Sequence, residues 1–164
     1  MLTKIISGCQ NGADIAGLKI AKRFGLETGG CIPRGFITLD GPKPEYESLY
    51  SIKEHSSSKY PPRTYENVKQ SDGTVRFAFD FNSPGEKCTF KAITYYKKPF
   101  FDVNLRLPAD PSEMVNWLTD NKISVLNVAG NSEKTYYGTE DAVKLYLNKV
   151  LIILGFQELN ESGN

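Results

Sequence analysis

The chain has 164 residues, 24% of them charged, and a formal net charge of +1. That balance gives no basic footprint for duplex DNA or RNA, and no apolar run approaches the ~20 residues of a membrane-spanning helix. Its three cysteines, Cys9, Cys31 and Cys88, are widely spaced and odd in number. That fits reduced thiols in the cytoplasm rather than a disulfide framework.

One domain over residues 1–164 is expected, since such a length buries ~70% of its unfolded surface. Lys4-Ile5-Ile6 is a short apolar strand that breaks at Ser7-Gly8. Through Cys9-Gln10-Asn11-Gly12 it leads into a helical pattern carrying Ala16, Leu18, Ile20, Ala21 and Phe24, which Gly25 stops. Leu26 to Cys31 reads as a second strand running into Ile32-Pro33-Arg34-Gly35. Phe36 to Arg63 is rich in Pro, Ser and Tyr and reads as irregular. Structureless loops beyond ~12–15 residues in compact domains usually carry function or are disordered. Thr64 then caps a short helix, Tyr65 to Gln70, and Asp72-Gly73 makes the turn into the β-branched and aromatic strand Thr74 to Asp80.

Ser83-Pro84-Gly85 opens a helix with Phe90, Ala92, Ile93 and Tyr96, which Pro99 ends. Phe100 to Leu105 is the next strand, and Asp110-Pro111-Ser112 opens a helix with proline near its first turn. Ser124 to Gly130 reads as a buried strand. Thr139 caps a last helix reaching about Gly155. That helix is apolar almost all the way round, with Leu145, Leu147, Val150, Leu151, Ile152, Ile153 and Leu154 among its residues. It is either wedged between sheet and loops or covered by a second copy, and a homodimer through it is the expectation.

Alternating strands and helices predict a mostly parallel sheet with helices on both faces. Ligands of such sheets lie beyond the carboxyl ends of the strands, where the topology reverses. Gly8 and Gly12 would let the backbone approach an anion, with the first helix pointing its N–H groups at it. Arg34 after Pro33 and Arg63 after Pro62 suit phosphate contact. Asp14 either caps the helix or meets a sugar hydroxyl or amine, and Glu133 stands where catalytic or ribose-binding carboxylates occur. Asp14 and Glu133 are thus the candidates for acid or base. Tyr136 and Tyr137 are candidates to stack on a base. His55 has no companion, and no metal site is expected.

Ser7-Gly8-Cys9-Gln10-Asn11-Gly12-Ala13-Asp14, Gly29-Gly30-Cys31-Ile32-Pro33-Arg34-Gly35 and Asp40-Gly41-Pro42-Lys43-Pro44 are followed in order by further motifs. These are Arg63-Thr64, Asn67-Val68, Ser71-Asp72-Gly73-Thr74, Thr89 with Ala92, and Asn127-Val128-Ala129-Gly130 with Glu133. Together they resemble the circularly permuted SLOG proteins, a family associated with molybdenum carriage, from Ile5 to about Leu147. The resemblance implies a Rossmann-like, doubly wound α/β fold whose strand-end loops hold a nucleotide, a nucleotide-derived signal or a molybdopterin-type cofactor. The positions that match the family's motifs are Gly8, Gln10, Gly12, Asp14, Pro33, Arg34, Gly35, Asp40, Gly41, Arg63, Asn67, Asp72, Thr89 and Glu133, and Cys9, Asn11, Gly85 and Gly130 in the same strand-end loops are expected ligand contacts beside them.

Three departures stand out. Cys9 and Asn11 replace the family's usual glycine and threonine, and Pro84-Gly85-Glu86 replaces Gly-Gly-Thr. Asn131-Ser132-Glu133-Lys134 lacks the arginine of Pro-Arg-Glu-Ser. The related Lonely Guy phosphoribohydrolases carry a glutamate after their glycine-rich turn, for which Thr89-Phe90-Lys91-Ala92 has no match. The expectation is therefore a protein that binds a phosphate-bearing small molecule as carrier, sensor or sequestering agent. N-glycoside hydrolysis and molybdenum cofactor carriage are the alternatives.

Overall fold

The computed structural model describes residues 1–160. Six strands, β1 (Lys4–Ser7), β2 (Glu27–Ile32), β5 (Ile52–Glu54), β6 (Gly73–Ala78), β7 (Phe100–Asn104) and β8 (Val125–Gly130), pair in the order β5-β2-β1-β8-β6-β7. All five pairings are parallel. A small antiparallel hairpin, β3 (Ile37–Thr38) with β4 (Gly41–Pro42), stands apart from the sheet.

The helices are α1 (Ala13–Arg23), α2 (Tyr46–Tyr50), α3 (Tyr60–Gln70), α4 (Pro84–Tyr96), α5 (Pro111–Asp120) and α6 (Thr139–Ile153). Strand alternation sorts them into two layers. Val75, Phe77, Leu126 and Val128 share one core with Ile20 of α1, Met114 of α5, and Leu147 and Leu151 of α6. The intervening Thr74, Arg76 and Asn127 are buried on the other side of the sheet, where Arg76 donates to the Glu86 carbonyl of α4 (3.1 Å). On that side Val68, Ala92 and Ile93 form a small core between α3 and α4. This is the Rossmann-like three-layer arrangement.

Chain order decides where a crevice opens. From β1 the chain moves outward through α1 to β2 and then β5, whereas from β6 it moves the other way, through α4 to β7. β8 then returns to the centre, between β1 and β6. The β1–β8 junction is the topological switch point.

Several boundaries differ from expectation. The span Phe36–Arg63 is ordered: it holds the β3–β4 hairpin, α2 and β5, and it delivers the first turn of α3. Short strands such as Ile52-Lys53-Glu54 bury one residue each and have no periodic signature. α3 begins at Tyr60 with Pro61 and Pro62 in its first turn, where missing N–H groups cost nothing. Thr64 is thus no cap; its hydroxyl donates to the Tyr60 carbonyl within the helix (3.2 Å). In α6 the capping position is Gly138, and Thr139 is the first helical residue. Val143, Leu147, Val150 and Leu151 of α6 are buried in the core, while Leu145, Ile152 and Ile153 are exposed.

Candidate functional site

A cavity of about 330 Å³ opens at the switch point. Gly8 from the end of β1 and Asn127 to Gly130 from β8 line it, as do the first turns of α3 and α4. Leu39 of the hairpin reaches its edge.

Arg63 dominates one end. Its Nη1 donates to Oδ2 of Asp14 at 3.4 Å, with both side chains largely buried. A Cβ on Gly8 would stand 1.5 Å from that Nη1, so the guanidinium lies in the space a side chain at position 8 would fill. Asp14 also accepts from the Gln10 amide (3.3 Å). Burial raises its pKa, and the Arg63 charge opposes that rise. Arg63 Nε is buried with no hydrogen-bond partner among the described residues. An orphaned buried donor costs about 1–3 kcal/mol.

The start of α1 is only partly available to a ligand. Its first amide, on Ala13, donates to the Asn131 carbonyl (3.0 Å), and that of Ile15 to the Gln10 carbonyl (3.1 Å), while Asp14 between them lines the cavity. Tyr60, Pro61, Arg63 and Thr64 of α3 and Pro84, Gly85 and Glu86 of α4 line it as well. Two positive helix-dipole ends thus turn toward one space.

Glu86, in the first turn of α4, is buried and lines the cavity. Its Oε2 accepts from Asn131 Nδ2 (2.9 Å) and from the Ser83 hydroxyl. Ser83 Oγ in turn accepts the Glu86 amide (3.4 Å), a variant of the Ser-x-x-Glu capping box. Asn131 cannot turn away, because its Oδ1 accepts from the amides of Phe79 (2.9 Å) and Asp80 (3.2 Å). Burial is the main cause that pushes the Glu86 carboxyl up to about 7; the Asn131 hydrogen bond opposes it and the Asp14 charge adds to it. The sequence marks Glu86 only as an intruder into an anion site, although Ser83-Pro84-Gly85-Glu86 is a legible capping signal.

The other expected site residues divide. Gln10, Asn67, Gly85, Thr89 and Gly130 line the cavity. Asn67 clamps the backbone of Cys31, accepting its amide (2.8 Å) and donating to its carbonyl (3.0 Å). Gln10 ties the hairpin down, accepting from the Leu39 amide (3.0 Å) and donating to the Ile37 carbonyl (3.3 Å). Gly130 has φ +151°, and a Cβ there would sit 1.9 Å from the Phe77 carbonyl oxygen.

Cys9, Asn11, Gly12, Pro33, Arg34, Gly35, Asp40 and Glu133 are not among the lining residues. Arg34 and Gly35 are exposed, so Arg34 does not converge with Arg63. Asn11 instead bridges two loops, donating to Asp40 (3.1 Å) and accepting from the Glu133 amide (3.1 Å). Glu133 caps α6: its carboxylate accepts from the amides of Gly138 (2.7 Å) and Glu140 (2.6 Å). Both of its oxygens are engaged there and the residue does not line the cavity, so the structure gives it a capping role in place of the expected acid–base one. Tyr136 stacks on Phe79 (4.3 Å between ring centres), and Tyr137 is 92% exposed, so neither offers a base-stacking face in the cavity.

Cys9 is buried at φ +63°, the left-handed conformation that suits the glycine usual at this position. Burial pushes the thiols of Cys9, Cys31 and Cys88 up, keeping them neutral. Cys88, with Tyr60, Ser83, Thr64, Ser132 and Thr135, joins the lining without having been singled out in the sequence as a ligand contact. No group of three or more His, Cys, Asp or Glu among the described residues is arranged to hold a metal ion, and no helix among them is long and apolar enough to cross a membrane.

A three-layer parallel sheet with a cavity at its switch point defines a ligand-binding α/β protein of the Rossmann-like type. Comparison with known proteins makes this specific: the chain belongs to the circularly permutated YpsA SLOG family, whose model matches residues 5–151. Among solved structures it is similar to the Putative molybdenum carrier protein from Syntrophus aciditrophicus SB. The two share 32% identity over 92% of this chain and 95% of that one, with a TM-score of 0.85. A search of curated proteins finds no match to the chain.

Proposed function

We propose that the protein binds a phosphate-bearing nucleotide or nucleotide-derived ligand and acts as a carrier, sensor or sequestering protein. The observation that carries this reading is the buried Arg63 guanidinium, laid over Gly8 at the switch point with its Nε unpartnered. The first turns of α3 and α4 add their dipoles at the same cavity. A cavity of about 330 Å³ falls at the small end of the ~300–1,000 Å³ range of ligand sites, a size for one nucleoside phosphate rather than a dinucleotide. Gly8, Asp14, Asn67, Gly85, Thr89 and Gly130 would line the bound ligand. Micromolar affinity needs about 8 kcal/mol. Charge-assisted hydrogen bonds of about 1.5–3 kcal/mol each reach that only in combination.

The test is mass spectrometry of small molecules released when the purified protein is denatured, with thermal shifts across a panel of nucleoside phosphates. A phosphate ester in the released fraction, or a shift that Arg63→Ala abolishes, supports the reading. An empty fraction and a flat panel sink it.

Carriage of a molybdopterin-type ligand is the second reading, favoured by the name of the 32%-identical relative. Such a ligand also bears phosphate and would use the same anion end. Pterin fluorescence and molybdenum content of the purified protein separate the two. Of its two sequence candidates, N-glycoside hydrolysis loses Glu133 to the α6 cap and keeps Asp14, which is paired with Arg63. A homodimer through the exposed Leu145, Ile152 and Ile153 of α6 belongs to the same proposal, and a monomeric mass in solution would remove it.

A further inference from the structure

The cavity has an electrostatic problem. Asp14 and Glu86 both line it, and Arg63 is the single lining residue with a full positive side chain. With both carboxyls ionised, two negative charges would face one positive charge, and an incoming phosphate would meet net repulsion. Burial lifts the Asp14 carboxyl as well, but the Arg63 charge at 3.4 Å opposes that lift directly, so Glu86, which has no such cation paired to it, is the carboxyl that holds the proton. Arg76 is not that cation: although it lies beneath Glu86, its guanidinium is held two-handed by Asp102 of β7 (2.8 and 2.5 Å).

The remaining groups around Glu86 do not change the count. Cys88 on its own helix is a neutral thiol, Lys87 is exposed, and Asp80 before α4 and Glu133 beyond β8 bring no positive charge.

Geometry also fixes where a proton on Glu86 would sit. Oε2 already accepts two hydrogen bonds, from Ser83 and from the immobilised Asn131. Oε1 accepts none among the described residues, yet it is not a sealed, unpartnered buried atom, so it is the oxygen open to the cavity. The carbonyl-like role falls to Oε2 and the hydroxyl to Oε1.

Resting on the phosphate-site reading above, we infer that Glu86 enters the binding site as a neutral carboxylic acid whose Oε1–H donates to an oxyanion of the ligand, so that ligand binding takes up a proton. The ligand end at Glu86 is thereby a hydrogen-bond acceptor, as the oxygens of a phosphate monoester are. Arg63, the lining cation, supplies the positive charge for the same group. Burial that already lifts this carboxyl to about 7 supports the assignment, and a bound anion would lift it further. A carboxyl kept neutral to serve as a donor is an established device in buried sites.

The experiment is isothermal titration calorimetry of the intact protein with adenosine 5′-monophosphate and with inorganic phosphate. It is run in buffers of different ionisation enthalpy and repeated between about pH 6 and about pH 8.5. Wild type is expected to take up about half a proton per ligand at pH 7, since a group titrating at about 7 is half ionised there. Glu86→Gln places an amide N–H where the acid's O–H would stand. Its affinity relative to wild type should rise about tenfold per pH unit above 7. The titration of the phosphate itself is common to both proteins and cancels in that ratio.

Binding by wild type with the same proton count and the same pH profile as Glu86→Gln overturns the role of Glu86 and leaves the phosphate site standing. No binding of either probe at any pH overturns the phosphate site, and the present inference falls with it. Should the variant fail to fold, sulfate replaces phosphate as the probe: it has no proton to exchange near neutrality, so uptake with it supports the role of Glu86 and binding without uptake overturns it.

Discussion

Arg34 and Arg63 look alike in the sequence, each behind a proline and each a candidate for the same anion, yet the fold treats them oppositely. Arg63 belongs to the first turn of α3, a helix packed on α4, and its guanidinium is pressed between Gly8 and Asp14. Arg34 sits in the turn after β2, tethered by its backbone amide to the Ser57 carbonyl (2.9 Å), with its side chain in solvent. A preceding proline restricts local backbone but says nothing about which way a side chain leaves the surface. What turns an arginine into part of a site is an element that buries it beside a counterion and leaves a donor unspent.

The largest expected effect tests the buried half of that contrast. Arg63→Ala leaves the Asp14 carboxylate buried without its cation, a change that typically costs about 3–5 kcal/mol. Chemical denaturation should show a loss of that order, and Asp14→Asn in the same background should restore part of it. A loss below about 1 kcal/mol would mean the pair is solvent-screened like any surface ion pair. Ligand affinity, where measurable, should fall by at least about tenfold with the lost charge-assisted bonds.

A smaller effect follows from the second carboxyl of the cavity. Glu86 holds its proton more tightly in the folded chain, at about 7, than the ordinary value of 4.5. Its contribution to stability is therefore complete below about 4.5 and is lost as pH rises to about 7. Glu86→Gln should flatten that decline and make the protein about 1–2 kcal/mol more stable than wild type at pH 8. Urea midpoints measured on both sides of neutrality check this. Parallel curves for the two proteins would show that the carboxyl titrates normally.

These contrasts also show what was legible in the sequence. Strands β1, β6 and β8 announced themselves through β-branched and apolar residues, interrupted by Arg76 and Asn127, and with the alternating helices they implied a parallel sheet and a ligand edge. The edge holds, but the helix end that faces it does not follow from local pattern. α1 looked like the anion-binding terminus, yet the Asn131 carbonyl takes its first amide, a contact made across more than a hundred residues of chain. The start of α3 was hidden because Tyr60-Pro61-Pro62 reads as a break when seen alone and as a first turn only when the helix behind it is known. Glu86 and Asn131 are individually unremarkable. Their partnership depends on β6 and β8 lying side by side, which local spacing does not encode.

Glu133 and Arg34 supply the smaller tests, at positions where sequence suggested chemistry and the fold assigns framework or solvent. Glu133→Ala removes both hydrogen bonds that cap α6 and should cost about 1–2 kcal/mol, as lost helix caps do. Ligand affinity should stay within about twofold, well inside the ~1.4 kcal/mol that marks a tenfold change.

Arg34→Ala should do least of all. Its side chain is exposed, and its one recorded tether, the amide to Ser57, survives truncation at Cβ. Stability should move by less than about 0.5 kcal/mol, and phosphate affinity should fall by no more than screened attraction across a Debye length of ~10 Å allows. A drop as large as that of Arg63→Ala would mean that the turn after β2 folds over the cavity when ligand arrives. The site would then have two guanidinium groups, and the contrast between the arginines would be a property of the empty protein alone.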